Sequence, residues 1–340
     1  MRLTANEVGA LKPLGGSNPL VSALFLTRSL LQVRLSYVSA IPVNVLAVDI
    51  GQSGSRVRST NGFEFSDGPP FIRENGITEA VKKTLLAAGS PKANVLSLSL
   101  TGVRGLVPDP HEVGVLCNVI TGANSVAVMD DGLAALAGAL GGNQGLAIAV
   151  GSGVVAVASK DGRVSHRDGD GPILGDDGGG FWLGREGLRA AVKALEDRGP
   201  QTTLLTQIES KFGSLYSAIR QQADADIMRW CIEAAPIVLR CASEGDAEAV
   251  RIRAGAVSIL AETVASAWRG VASLNAQAPA SYTGGVLVDA EFREQFFKSV
   301  SKVAPNLTWQ QPIGDNLDGA LFLAQSERKD LPPLLRWWLL

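Results

Sequence analysis

The sequence has 340 residues, of which 46% are hydrophobic, and its 31 lysines and arginines nearly balance 33 aspartates and glutamates. This length suits about two domains, and the lack of a basic stripe interleaved with aromatic residues excludes nucleic acid as an expected partner. Three scattered cysteines argue against a disulfide framework and a cysteine-based metal site, and they favour a reducing compartment, the cytoplasm: Cys117, Cys231 and Cys241.

Residues 1–42 precede the first strong structural signal. Arg28 and Arg34 interrupt an apolar stretch there, so no run is long enough to cross a membrane. The stretch also lacks the basic start, apolar run and cleavage site of a signal peptide. We therefore expect a poorly ordered extension before a domain that begins near Val43, and no membrane partner.

The first half of the remaining chain alternates strands and helices. A buried strand is predicted from Val43 to Val48, followed by a polar turn over 49–55 and a hairpin at Asn61-Gly62. The later elements are expected as a helix at 77–88, strands at 94–100, 113–118 and 125–129, and a helix at 133–140.

The second half repeats this order and then adds more helices. Two β-like runs flank Gly151-Ser152-Gly153, and Asp161-Gly162 marks a further hairpin. The strands are expected at 146–150, 154–159, 163–166 and 284–288, and the helices at 182–197, 201–221, 224–243, 246–275, 290–302 and 316–326. A fold that occurs twice, with a ligand between the halves, explains this repetition.

Six segments in this order carry a resemblance: LAVDIGQSGSRVR, VMDDGLAALAGAL, IAVGSGVVAVA, GPILGDDGGGFWLGREGLRAA, YTGGVLVD and DNLDGALFLA. Together they resemble the BadF/BadG/BcrA/BcrD-type ATPase family, and within it the N-acetylglucosamine kinase-like members of the actin-like/hexokinase/Hsp70 superfamily. The resemblance implies an α/β fold of two RNase H-like domains with an interdomain cleft. The domains would span 43–144 and 145–326, with the helix near 316–326 able to pack back on the first and 327–340 as a tail.

The resemblance assigns the reaction chemistry to two aspartates. Asp131, at the start of a helix, would be the general base that takes a proton from a sugar hydroxyl, and Asp49, at the end of the first strand, would hold Mg²⁺ through water. The residues alone leave open an N-capping role for an acid at a helix start, and a turn-forming role for Asp49. Asp130 stands where the family has asparagine. The sequence therefore leaves open which of the two neighbouring acids caps the helix, which binds the substrate and which is catalytic.

Glycine turns would hold ATP, since a backbone without side chains can approach phosphate closely. The residues expected to bind ATP are Gly51, Ser53 and Gly54 in the first turn, Gly151, Ser152 and Gly153 in the second, and Gly284 and Gly285 beneath adenine and ribose. The residues expected at the sugar, besides Asp130, are Asp176, Thr101, Gly102 and Asn75. Neither histidine, His111 nor His166, has a partner pattern, so both are expected in loops.

These assignments predict an ATP-dependent sugar kinase that acts on a small-molecule amino sugar, N-acetylglucosamine or glucosamine, with ATP and Mg²⁺. Two other functions stay open: an ATPase that drives a partner protein, as the dehydratase and reductase activators of the family do, and a sugar-sensing regulator. The activators hold an iron–sulfur cluster with cysteines between two subunits, and the cysteine placement here disfavours that function. Whether two copies of the chain form a homodimer is also left open.

Overall fold

We analysed a computed structural model of the protein, which describes residues 43–52, 54–217, 224–326 and 330–340. The expected extension, 1–42, and the expected phosphate contact Ser53 lie outside the described residues. Residues Asn44–Leu340 form one compact unit. That unit is built around two β-sheets with helices packed on their faces.

The first sheet has six strands in the order β11-β5-β4-β1-β2-β3. Strands β1, β4 and β5 are parallel, whereas β2, β3 and the last strand are antiparallel additions. Every residue of β1, β4 and β5 is buried, as expected for a sheet covered on both faces. The strands are β1 (Val45–Ile50), β2 (Ser55–Ser59), β3 (Glu64–Gly68), β4 (Val95–Leu100), β5 (Ser125–Asp130) and β11 (Leu335–Leu339).

The second sheet repeats this arrangement with five strands in the order β10-β9-β6-β7-β8. An antiparallel meander again leads into parallel neighbours. The strands are β6 (Gly145–Val150), β7 (Val154–Lys160), β8 (Arg163–Asp168), β9 (Ala278–Thr283) and β10 (Leu307–Gln310). The twofold repetition expected from the sequence is therefore confirmed, and with it the two-domain actin-like α/β fold.

Helices cover both sheets, and the second sheet carries most of them. The helices are α1 (Gly76–Ala87), α2 (His111–Thr121), α3 (Asp131–Ala139), α4 (Gly180–Leu195), α5 (Thr203–Phe212), α6 (Asp224–Ser243), α7 (Ala247–Arg269), α8 (Ala290–Val303) and α9 (Asn316–Gln325). The largest core cluster lies between the second sheet and helices α4–α8, with Trp268, Phe292 and Phe296 fully buried in it.

Helix α9 packs on the first sheet and crosses α3 at very short range. A Cβ on Gly138 would lie 1.9 Å from the Asp315 carbonyl oxygen, and one on Gly319 would lie 1.8 Å from that of Ala134. Only glycine permits this crossing, because a side chain at either position would overlap backbone. The contact packs α3, whose first residue is Asp131, against α9.

Two strand predictions were wrong. Residues 113–118 belong to α2, because Val113, Cys117 and Thr121 repeat every four residues and form its buried face, whereas Val119 is exposed. Residues 284–288 do not form a strand either. Strand β9 ends at Thr283, and Gly284 turns the backbone with a φ of 103° into a short 3₁₀ helix.

The ends of two helices and the tail also differ from expectation. Helix α5 ends at Phe212, where Gly213 takes a φ of 82°, instead of running to 221. Helix α7 ends at Arg269 instead of 275. The residues expected as a tail include β11, which pairs antiparallel with β5 and adds the buried Trp338 to the first core. Pairing with a distant strand leaves no local pattern that would reveal β11.

Candidate active site

A cavity of about 530 Å³ lies between the two halves of the fold. Thr101, Gly102 and Asp131 line it from the first half, and the Gly151–Gly153 turn lines it from the second. Residues expected to contact acceptor and phosphate thus share one cavity. The chain could place the two reactants of a transfer reaction side by side there.

Asp131 is the first residue of α3, and its side chain lines this cavity. Burial, followed by the negative charge of Asp130, raises the pKa of the Asp131 carboxyl to about 7. The charge of Asp49 acts in the same direction, while a side-chain hydrogen bond with Thr101 opposes it. A carboxyl that titrates near neutral pH is well suited to accept a proton from a hydroxyl group.

Asp130 holds the backbone around the cavity. One carboxylate oxygen accepts a hydrogen bond from the Gly132 N–H and the other from the Gly105 N–H, each at 2.9 Å. The first bond caps α3, and the second ties the loop after β4 to it. The geometry therefore separates the two acids: both oxygens of Asp130 have backbone donors, and Asp131 is the acid with the shifted pKa. Sugar binding by Asp130 stays a prediction.

Asp49 lies near the end of β1, and its carboxylate has several partners. Arg56 Nη2 lies 2.8 Å from Oδ2, while the Ser99 hydroxyl at 2.7 Å and the Asn316 amide at 3.3 Å donate to Oδ1. A carboxylate has about four acceptor positions, so roughly one is left. This arrangement fits a cation held through water, because three of the acceptor positions are taken by Arg56, Ser99 and Asn316.

The first glycine turn closes on itself through a 2.9 Å bond from the Gly51 N–H to the Gly54 carbonyl. Its neighbour Gln52 is exposed and lines the cavity. Phe71 donates its N–H to the Gly51 carbonyl, which ties the loop after β3 to the turn. The turn thus lies at the cavity edge, where the sequence predicted a phosphate contact.

The second glycine turn is supported by Asp176. The Gly151 N–H bonds the Gly153 carbonyl at 2.9 Å, and Asp176 Oδ1 accepts from the Val154 N–H at 2.9 Å. A Cβ on Gly153 would lie 2.6 Å from that oxygen, so the turn leaves no room for a side chain. Asp176 lines the cavity as expected, but one of its oxygens positions the turn, a role that the sequence did not reveal.

Six predicted site residues are not among those that line the cavity: Asp49, Gly51, Gly54, Asn75, Gly284 and Gly285. Asn75 is exposed at the start of α1 and does not line the cavity. Gly284 packs beneath the second turn, where a Cβ would lie 2.3 Å from the Val150 carbonyl oxygen. Gly285 follows it in the 3₁₀ helix. Gly284 supports the turn from below, and contact of either glycine with adenine and ribose stays a prediction.

Sequence reasoning missed several residues of the cavity wall. His166, for which the sequence showed no partner pattern, lies in β8 with Nε2 3.7 Å from Asp130 Oδ1. The others missed are Arg73, Arg104, Phe181, Met228 and Ile232. Met228 and Ile232 lie four residues apart on α6 and are about half exposed, at 46% and 45%. The sequence signal for these two residues is an apolar pair at helical spacing. The same spacing occurs in helices that face a buried core, so the sequence could not assign the pair to the cavity.

Two kinds of feature are absent from the described residues. These residues include no group of three or more histidine, cysteine, aspartate or glutamate side chains able to hold a metal. None of their helices is both long and apolar enough to span a bilayer. A site with few carboxylates suits Mg²⁺ that arrives with phosphate oxygens, because Mg²⁺ keeps much of its water and needs few protein ligands.

Comparison with known proteins agrees with this geometry. The model of the BadF/BadG/BcrA/BcrD ATPase family matches residues 69–321. No curated protein matches the chain. Among solved structures, a protein from Chromobacterium violaceum, provisionally named an N-acetylglucosamine kinase, superposes with a TM-score of 0.59 at 23% identity, over 83% of this chain and 99% of that one.

Two further structures support the same fold. A Porphyromonas gingivalis protein with the same provisional name gives a TM-score of 0.55 at 16% identity, over 82% of this chain and 98% of that one. A ROK family glucokinase from Streptomyces griseus, in complex with glucose and AMPPNP, gives 0.50 at 16% identity, over 83% and 99%. At these identities the likeness shows the actin-like two-domain architecture.

Proposed function

The chain belongs to the BadF/BadG/BcrA/BcrD ATPase family, and on this premise we propose that it is an ATP-dependent kinase of a small amino sugar. It transfers the γ-phosphate of ATP to a sugar hydroxyl, and N-acetylglucosamine and glucosamine are the first acceptors to test. The names of two similar structures support the choice of sugar.

The observation that carries the proposal is the Asp131 carboxyl in the cavity between the two glycine turns. Its pKa of about 7 lets it be a carboxylate at neutral pH and still accept a proton readily. A side-chain hydrogen bond with Thr101 favours the ionised form of the same carboxyl, the form that acts as the base. The acceptor hydroxyl would lose its proton to Asp131 as it attacks the γ-phosphorus, a reaction that depends mainly on positioning and charge neutralisation.

The nucleotide would lie along the second half of the cavity. The Gly151–Gly153 turn offers backbone close to phosphate, and Phe181, Met228 and Ile232 offer an apolar wall for a base. A bound Mg²⁺ would neutralise charge on the transferred phosphate. Asp49 would hold it through water, since Arg56, Ser99 and Asn316 fill most of its acceptor positions.

The cysteines weigh against an activator ATPase that shares a metal cluster between subunits. Cys117, Cys231 and Cys241 are free and buried, and burial raises the pKa of each thiol, to about 12 for Cys117. A cluster ligand must be a thiolate that a second subunit can approach. Free thiols of this kind are typical of a reducing compartment, so the proposed location is the cytoplasm.

The test is ADP release from Mg-ATP in the presence of N-acetylglucosamine, glucosamine, N-acetylmannosamine, N-acetylmuramic acid and glucose. The proposal expects release to rise with at least one amino sugar and to be matched by an equal amount of sugar phosphate. Slow hydrolysis that no sugar stimulates would contradict it and favour an ATPase that serves a partner protein.

A further inference from the structure

The side chains of two arginines on the cavity wall have no partner among the residues that the structure describes. Arg73, just before α1, and Arg104, in the loop after β4, are both exposed and both line the cavity. The guanidinium group of neither arginine forms a hydrogen bond or an ion pair with any residue that the structure describes. By contrast, Arg56 and Arg58 on β2 of the same half each bond carboxylates. The cavity therefore contains two guanidinium groups whose donors are free.

The backbone directs Arg104 towards the opposite half. Its φ is 51°, a left-handed conformation that is unfavourable for a residue other than glycine. Its Nη2 lies 3.8 Å from the position that a Cβ would take on Gly171, in the loop after β8. Such strain persists only where the surroundings impose it. Here the Gly105 N–H bonds Asp130, which anchors the residue after Arg104 beside the catalytic pair.

The acids that line the same cavity do not neutralise the positive charge of these arginines. Both oxygens of Asp130 accept backbone N–H groups, and Asp176 accepts one from Val154. The pKa of Asp131 is raised to about 7, so part of its population is neutral at neutral pH. A guanidinium offers five N–H donors in a planar fork that matches a carboxylate or a phosphate.

We propose that the preferred acceptor carries an anionic group, a carboxylate or a phosphate ester, and that Arg104 and Arg73 bind it. The inference rests on the proposed kinase function, since it places an acceptor in this cavity, but it concerns binding and not transfer. An anionic amino sugar would leave its hydroxyl beside Asp131 while its charge meets the two free guanidinium groups. Arg104 supplies the contact nearest the acidic pair, and Arg73 the one beside the first glycine turn.

The test compares acceptors that differ in this charge. Dissociation constants would be measured by calorimetry for N-acetylglucosamine, N-acetylmuramic acid and N-acetylglucosamine 6-phosphate, without nucleotide. The proposal expects at least one anionic sugar to bind about tenfold or more tightly than the neutral one, as a charge-assisted pair typically provides. The carboxylate and phosphate arms identify which anion the site accepts. Equal binding of all three, or no binding of either anionic sugar, would overturn the proposal.

Variants then test whether the two arginines cause the preference for an anionic sugar. R104Q and R73Q should each reduce the ratio of anionic to neutral affinity about tenfold. R163Q is the matched control, because Arg163 is an exposed arginine on β8 that does not line the cavity, and it should leave the ratio unchanged. An unchanged ratio in both cavity variants, with weaker ATP binding instead, would show that the arginines serve the nucleotide phosphates and would contradict the proposal.

Assays of phosphate transfer distinguish the kinase proposal from the proposal of an anion-binding site. If anionic sugars bind in an arginine-dependent way but ATP yields no sugar phosphate, the kinase function fails and the anion site stands. If the neutral and anionic amino sugars are phosphorylated with the same kcat/KM, and R104Q changes neither the ratio of rates nor the ratio of affinities, the kinase stands and the anion site fails.

Discussion

The two sheets share one strand order, but the ends of their strands differ in chemistry. In the first sheet, Asp49 is the next-to-last residue of β1 and Asp130 is the last residue of β5. The corresponding strands of the second sheet, β6 and β10, end in Val150 and Gln310. The first half thus contributes the acids, and the second contributes a backbone turn and the larger helical core. The same topology therefore has a different role in each half of the molecule. The experiments below test these roles.

The largest effect is expected from D131N. Removing a general base typically costs about 100- to 10,000-fold in rate, whereas ATP binding to the second half should persist. Product formation and ATP affinity would be measured on the same preparation. The control is D177N, since Asp177 is an exposed carboxylate outside the cavity wall. Near-normal turnover by D131N would show that Asp131 of the first half is not the general base.

The pH dependence of the wild type should follow Asp131. Because the base must be ionised, kcat/KM should fall about tenfold for each pH unit below about 7, and so about 100-fold at pH 5. The profile would be recorded with a saturating nucleotide. A flat profile between pH 5 and pH 7, with folding intact by circular dichroism, would contradict the assignment.

Asp131 should also lower the stability of the folded protein at high pH. Its pKa is raised above the ordinary value of 3.8, so its contribution to the free energy of unfolding is largest below that value and is lost as pH rises through about 7. At pH 8, D131N should therefore be more stable than the wild type, by up to about 4 kcal/mol. Urea unfolding at pH 8 and pH 4 measures this, and an equal difference at both values would contradict it.

The second half's role is tested by its glycine turn. A Cβ on Gly151 would meet no atom within 4 Å, whereas one on Gly153 would collide with Asp176. G151A should therefore keep the folded structure and weaken ATP binding about tenfold, because the methyl group would occupy space meant for phosphate. G153A should lose both stability and ATP binding. Unchanged ATP affinity in G151A would argue against a phosphate at this turn.

The smallest effect concerns the strand that completes the first sheet. Gly114 of α2 faces Trp338, and a Cβ there would lie 2.3 Å from the indole ring. G114A should therefore destabilise the protein by about 1–3 kcal/mol. The control is G255A, because Gly255 lies inside α7 and a Cβ there would be 3.4 Å from the Trp182 ring. This variant should stabilise the protein by up to about 1 kcal/mol. Equal melting temperatures for the two variants would show that β11 does not need this contact.

The sequence predicted the repeated architecture because each strand and turn has a local signature. It placed the β1 strand, the Asn61-Gly62 hairpin and the Gly151–Gly153 turn correctly. It could not predict β11, whose partner lies about two hundred residues away. It mistook α2 for a strand, because valines at alternate positions hid a face with a repeat of four residues.

The candidate site was predictable only in part, for a related reason. Asp131, Thr101 and the second glycine turn stand at strand ends or helix starts, positions that a pattern can reveal. Arg104, His166 and Met228 enter the cavity only through the way distant elements pack. The bond from the Gly105 N–H to Asp130 and the support of the turn by Asp176 join residues more than twenty positions apart, so no local spacing along the chain encodes them.

The central claim is phosphate transfer from ATP to an amino sugar. The most direct measurement is phosphorus NMR of one reaction mixture that contains Mg-ATP and the panel sugars, run with the wild type and with D131N. The account predicts a sugar phosphate resonance that grows in step with ADP for the wild type and is lost for D131N. Inorganic phosphate as the sole product, at the same rate with and without sugar, would contradict it.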